Sequence, residues 1–287
     1  MRIPLRLSVA LLGLLCSVLG AAGQGAVPAP VRVVSQTVGN DEFLLALAAP
    51  EQIAALSHLA RQPEFSAVAA AAAQYPQIGI GDAETILRFA PTLVLCADYS
   101  RAELVTQLKR AGVRVLVVER YKTLDDVYAT LRLIARELGA EARAEALIES
   151  CQARVANLET RLRGRRPVRV FAPSVFGMIP GDDTTFADLC AHAGAENLAA
   201  TLGGLRGHAV TPSEQMLTWP VERIVVATEN PARALEPYRT MVPYKLMPAF
   251  REGRVAVLAP HLISCVTHHR IDAYEQLARQ LHPEAFE

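Results

Sequence analysis

The densest cluster of chemically capable side chains lies near the carboxyl end of the chain. His261, Cys265, His268 and His269 are close together in a segment that follows an apolar, strand-like run. Imidazole nitrogen and thiolate sulfur are ligands of zinc and other transition metals, so this segment is a candidate metal site. Carboxylates at a defined helical spacing do not accompany it, and the alternative is a loop whose histidines are solvated or hydrogen-bond a ligand.

Local motifs of common enzyme sites give no support for catalysis. The run Gly79-Ile80-Gly81 resembles the start of a dinucleotide-binding loop, but the sixth position is Glu84 instead of glycine and no clear strand precedes it. The sequence has no Walker phosphate loop, Gly-x-Ser-x-Gly turn or His-Glu-x-x-His pair. A Ser-His-Asp set would have to assemble from scattered residues.

The elements that position these residues occur twice along the chain. In each half a strand-like run is followed by a helix that carries a glutamate, Glu84 or Glu214, then by a proline and a further apolar strand. Short apolar strands alternating with helices are typical of buried parallel sheets covered by helices on both faces. We therefore predict an α/β fold of two α/β lobes with mainly parallel sheets. The matching segments are 31–34 with 168–171, 84–95 with 214–226, and 112–118 with 253–258.

Two helices are predicted between the lobes. One spans 125–138 and stops at Gly139, and the other spans 141–163 with apolar residues alternately three and four apart on one face. About 23 helical residues reach ~35 Å, which makes the second helix a stiff strut between the lobes. An ordinary surface helix of one domain is the alternative. The predicted organisation is a signal peptide at 1–23, an N-terminal lobe at 31–124, the helical segment at 125–163 and a C-terminal lobe at 167–287.

Composition and charge exclude several classes of protein. The chain has 287 residues, of which 51% are hydrophobic and 20% charged, so it is not disordered and has room for one large or two ordinary domains. Basic and acidic residues balance at 29 each, so no net positive field exists to hold nucleic acid. None of the five cysteines forms a Cys-x-x-Cys pair. The sequence is compatible both with free thiols and with disulfides.

The amino-terminal residues have the pattern of an export signal. Two arginines precede an uncharged apolar run at 7–20, and small residues follow at 21–23. This order is typical of a secretory signal peptide, with cleavage expected within 21–26. A membrane anchor is one alternative, although the run is shorter than the ~20 residues of a span. A lipoprotein attached through Cys16 is another alternative, although the residue before Cys16 is a leucine and not glycine, alanine or serine.

The ordered set of segments resembles the periplasmic substrate-binding proteins of ABC importers for iron chelates, haem and cobalamin. Its most specific part runs from the Ile78-Gly79 turn through Glu84 to the leucine, proline and strand that end at Leu95. The resemblance covers about residues 31–285 and implies two α/β lobes joined by one long rigid helix, with a ligand cleft between them. The other matching segments are 108–115, 186–189, 194–197, 213–215, 248–255 and 274–283.

The resemblance implies a periplasmic receptor that is not an enzyme, has no resident cofactor and delivers a metal chelate to an inner-membrane ABC permease. We expect a ferric siderophore-type complex first, then cobalamin or another corrinoid, then haem, and we expect a monomer with no nucleic-acid partner. Haem-binding relatives place a tyrosine after the glycine turn, where this chain has Ile80. Cobalamin-binding relatives offer a tryptophan near it, whereas the only tryptophan here is Trp219.

Two glutamates are implicated in docking. In relatives the glutamates at the positions of Glu84 and Glu214 lie on the outer tip of each lobe and pair with arginines of the permease. Two like charges at a fixed separation form a two-point electrostatic contact. The alternative is that each glutamate is a helix-start carboxylate favoured by the helix dipole.

Ligand-binding residues are expected in the loops after the strands. Ligands of open α/β sheets bind beyond the carboxyl ends of the strands, and in two facing lobes these ends border one cleft. Aromatic side chains suit a bulky chelate, and arginine meets its carboxylates. The alternative function is binding of a bare transition metal ion, or metal-dependent catalysis, at His261, His268 and His269. The predicted ligand-binding residues are Gln36, Tyr75, Tyr99, Tyr121, Phe176, His261, His268 and Arg270.

Overall fold

The first sheet consists of four parallel strands in the order β2-β1-β3-β4. The first three strands of the chain are buried along their whole length, which is why they occur in the sequence as uninterrupted apolar runs. The elements of this half are β1 (Val33–Ser35), α1 (Val38–Leu47), β2 (Ile53–Ala55), α2 (Ala69–Ala72), α3 (Ala83–Leu87), β3 (Leu93–Ala97), α4 (Ala102–Arg110) and β4 (Arg114–Val118).

This computed structural model describes residues 31–79 and 81–287. The predicted signal peptide at 1–23 lies outside the described residues, as does Ile80. Contacts group Val31–Glu287 into one compact unit. Within the described residues, none of the helices combines the length and apolarity that crossing a bilayer requires.

Two helices connect the sheets. α5 (Leu124–Leu138) starts at Thr123, whose side chain accepts from the backbone N–H of Asp126, and ends at Gly139 in the left-handed conformation with φ 67°. α6 (Glu141–Leu162) follows directly. Each differs from its predicted span by a single residue at one end, because the apolar periodicity and the glycine stop already define them.

The second sheet is also parallel, with the order β10-β9-β5-β7. Beside it β6 and β8 form the one antiparallel pair among the described strands. The prediction of two α/β lobes with mainly parallel sheets is confirmed. The elements are β5 (Val168–Phe171), β6 (Met178–Pro180), α7 (Thr185–His192), β7 (Ala195–Asn197), α8 (Leu198–Thr201), β8 (His208–Val210), β9 (Arg223–Ala227), α9 (Pro248–Arg251), β10 (Val255–Leu258) and α10 (Arg270–Leu281).

One hydrophobic core runs through both lobes by way of the connecting helices. It includes Leu93 of the first sheet, Val225 of the second, Ile134 of α5 and Ile148 of α6, all almost completely buried. Alternate residues of the same strands, such as Val226, face two smaller cores on the other sides of the sheets. The two lobes therefore share packed apolar surface instead of meeting only at a flexible linker.

α6 is fixed to both lobes by polar contacts. Near its start Arg143 donates to the carbonyl of Leu47 at the end of α1, at 2.6 Å. Further along, Arg154 pairs with Asp272 and Glu275 on α10, at 2.6 and 2.9 Å. α6 is thus the long helix that joins the lobes, and the alternative of a surface helix of one domain does not fit these contacts.

The four described cysteines are buried free thiols. Burial raises the pKa of Cys96 to about 11 and that of Cys265 to about 12, and it also raises the pKa values of Cys151 and Cys190. Of the two states that the sequence leaves open, the structure has free thiols, and each of the four side chains is buried without a second cysteine to bond.

Candidate functional site

Two aromatic residues of the first lobe, Tyr99 and Tyr121, lie at the carboxyl ends of β3 and β4. The rings of Tyr99 and Tyr121 meet edge to face, with centroids 6.5 Å apart and an angle of 84°. The hydroxyl of Tyr121 donates to the Asp98 carboxylate at 3.2 to 3.3 Å. Tyr99 is 65% exposed. Partial burial raises the pKa of both phenols, so they stay protonated donors.

Gln36 belongs to the same edge of the sheet. It follows β1, and its backbone N–H donates to the carbonyl of Leu95 in β3 at 3.0 Å. Its side-chain oxygen accepts from the hydroxyl of Ser100, next to Tyr99, at 2.6 Å. The structure therefore brings three predicted ligand-binding residues, Gln36, Tyr99 and Tyr121, to neighbouring strand ends.

The second lobe contributes an exposed apolar surface after β5. Phe176 is 90% exposed, and Val175 and Met178 beside it are also exposed. Met178 pairs across the antiparallel ladder with Val210, another exposed side chain. Exposed apolar groups grouped in this way are typical of ligand-binding or partner-binding surfaces.

Two further predicted residues lie apart from this aromatic pair. Tyr75 packs partly against the main core, and its carbonyl accepts from the Arg61 guanidinium. His261 follows β10 in the second lobe, and its Nδ1 lies 3.1 Å from the carbonyl oxygen of Pro63 in the first lobe. His261 therefore marks a place where the lobes touch.

Arg270 is assigned to the contact between the lobes and not to a cleft surface, which corrects its predicted ligand-binding role. It is 2% exposed, and protein acceptors engage its whole guanidinium. It donates to the carbonyls of Tyr121 and Lys122 at 2.7 and 3.1 Å, to the Asp188 carboxylate at 3.1 Å, and through Nε and Nη2 to the Cys265 carbonyl. Acceptors of the described residues therefore occupy all three guanidinium nitrogens of Arg270, which leaves none for a ligand.

Asp188 on α7 is the centre of this contact. Besides Arg270, it accepts from the hydroxyl of Tyr274 and from the backbone N–H of Leu124, the latter at 3.2 Å. Leu124 is the first residue of the helix that leaves the first lobe. Asp188 and Arg270 thus form a paired, fully hydrogen-bonded charge centre where the lobes meet, as a buried charge requires.

The three histidines of the alternative metal site do not converge. The rings of His268 and His269 are in contact, with centroids 4.2 Å apart and an angle of 36° between them, and burial lowers the pKa of His268 to about 3. His269 faces Asp272 at 3.5 Å, whereas His261 contacts Pro63. Within residues 31–79 and 81–287 no group of three or more His, Cys, Asp or Glu side chains is arranged to hold a metal ion.

Sequence reasoning missed two buried carboxylates at the start of α1. Burial raises the pKa of Asp41 to about 7, and its carboxylate accepts from the backbone N–H and hydroxyl of Ser57. Glu42 crosses to the other lobe, where it accepts from the hydroxyl of Thr267. Two acidic residues directly before an apolar run would have been the signal for them.

A glycine permits this close approach of the lobes. A Cβ atom at Gly39 would lie 2.5 Å from Cγ2 of Val266, closer than packed side chains come. α1 therefore passes the Val266 segment at a distance that only glycine allows.

The two glutamates implicated in docking are both exposed. Glu84 lies on α3, after the Asp82 cap, and pairs with Arg88 at 2.6 Å. Glu214 caps a 3₁₀ helix, Gln215–Thr218, so the predicted helix at this position is a single short 3₁₀ element. The helix is short because Trp219 precedes Pro220, and a residue before proline is disfavoured in the α conformation.

The sequence and the structure were compared with those of known proteins. The family described as periplasmic binding protein matches residues 33–262. The chain belongs to the periplasmic binding protein family. The structure of this periplasmic binding protein is similar to that of the periplasmic heme-binding protein RhuT from Roseiflexus sp. RS-1 in apo form, with a TM-score of 0.76 and 22% identity, covering 89% of this chain and 99% of that chain.

Two other proteins are also similar to this chain. The periplasmic vitamin B12 binding protein BtuF of Vibrio cholerae has a TM-score of 0.69 at 17% identity, covering 89% of this chain and 98% of that chain. An uncharacterized ABC transporter substrate-binding lipoprotein, YvrC of Bacillus subtilis (strain 168), is 24% identical over 71% of this chain. The chain spans 66% of the length of that relative. The structural likenesses support the two-lobed fold of this periplasmic binding protein.

Proposed function

We propose that this protein is the substrate-binding component of an ABC importer, which captures a metal chelate in the periplasm and delivers it to the inner-membrane permease. The observation that carries the proposal is the family match over residues 33–262 on a fold of two joined lobes. The relatives support the ligand class, since RhuT is named for heme, BtuF for vitamin B12 and YvrC for an ABC transporter.

The proposed ligand surface is formed by Tyr99 and Tyr121 of the first lobe and Phe176 of the second. The rings of Tyr99 and Phe176 are exposed and that of Tyr121 is half-buried. Together they offer apolar area for a large ligand, and the phenols offer hydrogen bonds. Arg120, exposed next to Tyr121, adds a cation suited to an anionic chelate. A ferric siderophore-type complex is our first candidate ligand, and a corrinoid and haem are the others.

Glu84 and Glu214 are the proposed docking residues for the permease. Both carboxylates are exposed, and the ion pair between Glu84 and Arg88 is itself exposed. An exposed i,i+4 pair contributes only about 0.3–0.5 kcal/mol, so Glu84 can exchange Arg88 for an arginine of a partner at little cost. Reversing both charges is expected to abolish transport coupling while ligand binding persists.

A titration series tests the ligand class. Purified protein is titrated with ferric chelates, haemin, cobalamins and free zinc or manganese, and absorbance and intrinsic fluorescence are recorded. We expect one chelate to bind at one to one. Tyr99→Ala with Tyr121→Ala should weaken that binding by roughly tenfold or more, since an aromatic contact contributes about 0.5–1.5 kcal/mol beyond its buried area.

The control is Leu133→Ala, which removes an exposed apolar side chain from α5, a helix that contributes no residue to the proposed ligand surface, and should leave the affinity unchanged. If no chelate binds, while a free metal ion binds tightly and is lost with His268→Ala and His269→Ala, the alternative function of a bare-ion receptor replaces this proposal.

A further inference from the structure

A basic groove lies on the second lobe, along the segment that leads from β9 to β10. It has a volume of about 500 Å³. Gly253 lines it directly before β10, so the groove lies at the amino end of this strand, whereas His261 follows the carboxyl end. The groove is therefore separate from the proposed ligand surface, whose residues follow the carboxyl ends of their strands. Its other lining residues are Leu235, Arg239, Lys245, Phe250, Arg251 and Glu252.

Three cations line this groove without an anion of the protein beside them. Arg239, Lys245 and Arg251 are all exposed. None of the three forms an ion pair or a side-chain hydrogen bond with another residue of 31–79 and 81–287, whereas neighbouring arginines do. Their positive charge is therefore available to an external anion.

The acidic residues nearby do not neutralise these cations. Segment 231–254 has five basic and two acidic residues, a net charge of +3. Glu236 is paired with Arg233 at 2.6 Å, and Glu252 with Arg254 at 2.9 Å. Both carboxylates thus already have a partner outside the set of three groove cations, and the surplus charge is concentrated at the groove.

Exposed apolar side chains accompany the cations. Val242 is 61% exposed and Leu246, directly after Lys245, is 52% exposed. Inside the groove Leu235 is half-buried and Phe250 is buried, so its walls are partly apolar. Cations beside exposed apolar groups are typical of surfaces that bind an anionic membrane, where the cations meet lipid phosphates and the apolar groups enter the acyl boundary.

We propose that this face of the second lobe binds an anionic lipid surface, with lipid phosphates held by Arg239, Lys245 and Arg251 and with Val242 and Leu246 in the acyl boundary. The balanced net charge of the chain does not oppose this binding, because salt limits electrostatic attraction to about 10 Å and the local charge decides it. Lipid and ligand would use opposite ends of the second sheet, and the proposal does not rest on the identity of the chelate.

Co-sedimentation with lipid vesicles tests this face. The protein used begins at Val31, so that the apolar run at 7–20 cannot insert into the bilayer, and Val31–Glu287 forms one compact unit. At low ionic strength we expect binding to vesicles of equal parts phosphatidylglycerol and phosphatidylcholine, and little binding to phosphatidylcholine alone.

Two sets of variants separate the charged and the apolar part of the surface. Arg239→Gln, Lys245→Gln and Arg251→Gln together should lower the partition coefficient roughly 100-fold, since one cation near an anionic membrane contributes about fivefold. Val242→Ser with Leu246→Ser should lower it roughly tenfold, since burial of about 60 Å² of apolar surface contributes that much.

The matched control replaces three exposed cations outside this segment by glutamine, which changes the net charge equally and should leave binding at least ten times stronger than in the triple groove variant. These cations are Lys109, Arg110 and Arg136. The proposal is overturned if the mixed vesicles do not bind the original protein, if the control loses as much binding as the groove variant, or if Val242→Ser with Leu246→Ser binds like the original.

A free anion is the other possible occupant of the groove, and competition distinguishes it from lipid. Inorganic phosphate should release the protein from the vesicles no more than sodium chloride of the same ionic strength. Stronger release by phosphate would identify a small anion as the occupant and overturn the proposal. All of these variants change exposed side chains, so loss of binding does not result from disruption of the core.

Discussion

At the scale of single residues, the contact between the lobes depends on buried polar groups that are almost fully satisfied. Arg270 has Asp188 and three backbone carbonyls, and Glu42 has Thr267. Breaking such a pair leaves an uncompensated buried charge, which costs about 3–5 kcal/mol. These residues therefore determine how the lobes meet, while Tyr99 at the proposed ligand surface stays exposed.

Asp41 makes stability depend on pH. Its pKa is about 7 in the folded state, against 3.8 for an aspartate side chain in free contact with water, so the folded state binds more protons between these values. Stability from this group is present below pH 3.8 and is lost as the pH rises through 7. In Asp41→Asn we expect this loss to disappear, so the variant should gain up to a few kcal/mol over the original protein between about pH 4 and 8, at about 1.4 kcal/mol per pKa unit.

Urea denaturation of both proteins across this range measures the difference. The comparison with the original protein is necessary because His268, whose pKa falls to about 3, contributes with the opposite sign, and its stability is lost as the pH falls below its usual 6.5. Parallel pH profiles of the two proteins would contradict the raised pKa of Asp41 in the folded state.

At the scale of elements, α6 does two jobs. Its apolar face belongs to the core, through Ile148, Cys151, Val155 and Leu158. Its polar face holds α1 and α10 through Arg143 and Arg154. A helix held on two faces transmits the position of one lobe to the other, which an isolated surface helix would not do.

Arg154→Met tests this connection. The variant keeps an apolar stem but removes the cation shared by Asp272 and Glu275, so the two carboxylates repel each other. We expect the free energy of unfolding to fall by about 1–2 kcal/mol, measured by urea denaturation.

Arg132→Met is the matched control for this variant. Arg132 pairs with Glu145 between α5 and α6 only, and both side chains are more exposed. Its loss should cost about 0.5 kcal/mol or less. Equal losses in the two variants would contradict a special role for the contact between α6 and α10.

At the scale of the whole molecule, the lobes share one core, one long helix and several direct contacts. Hinge closure as in other binding proteins requires a few residues that absorb large backbone changes. Here the chain between the lobes is helical from Leu124 to Leu162, apart from the turn at Gly139 and Ala140. The molecule is therefore built to receive a ligand with little rearrangement.

Small-angle scattering with and without the bound chelate measures how far the lobes move when the ligand binds. We expect the radius of gyration to change by about 1 Å or less, as in complexes whose partners are already organised for binding. A chelate that does not bind serves as the control. A marked compaction seen only with the bound chelate would show that α6 does not restrain the lobes.

The sequence predicts the fold well and the site in part, for physical reasons that differ by residue. Apolar strands and the periodicity of α5 and α6 are local patterns. The role of Arg270 cannot be predicted from a local pattern, because its acceptors Asp188 and Tyr121 lie 82 and 149 positions away in the chain. The segment around Glu214 predicts a helix, but the length and type of this helix do not follow from the pattern: it is a 3₁₀ helix of four residues that ends before Pro220.

The four buried thiols can be used to measure local opening in four regions of the molecule. Cys96 lies in the first sheet, Cys151 in the connecting helix, Cys190 on α7 of the second lobe and Cys265 where the lobes touch. Each becomes reactive to an alkylating reagent only when its surroundings open, since a buried thiol is neither accessible nor ionised. The rate at which each cysteine is modified in the native protein therefore reads the opening of one separate region, without any label being introduced.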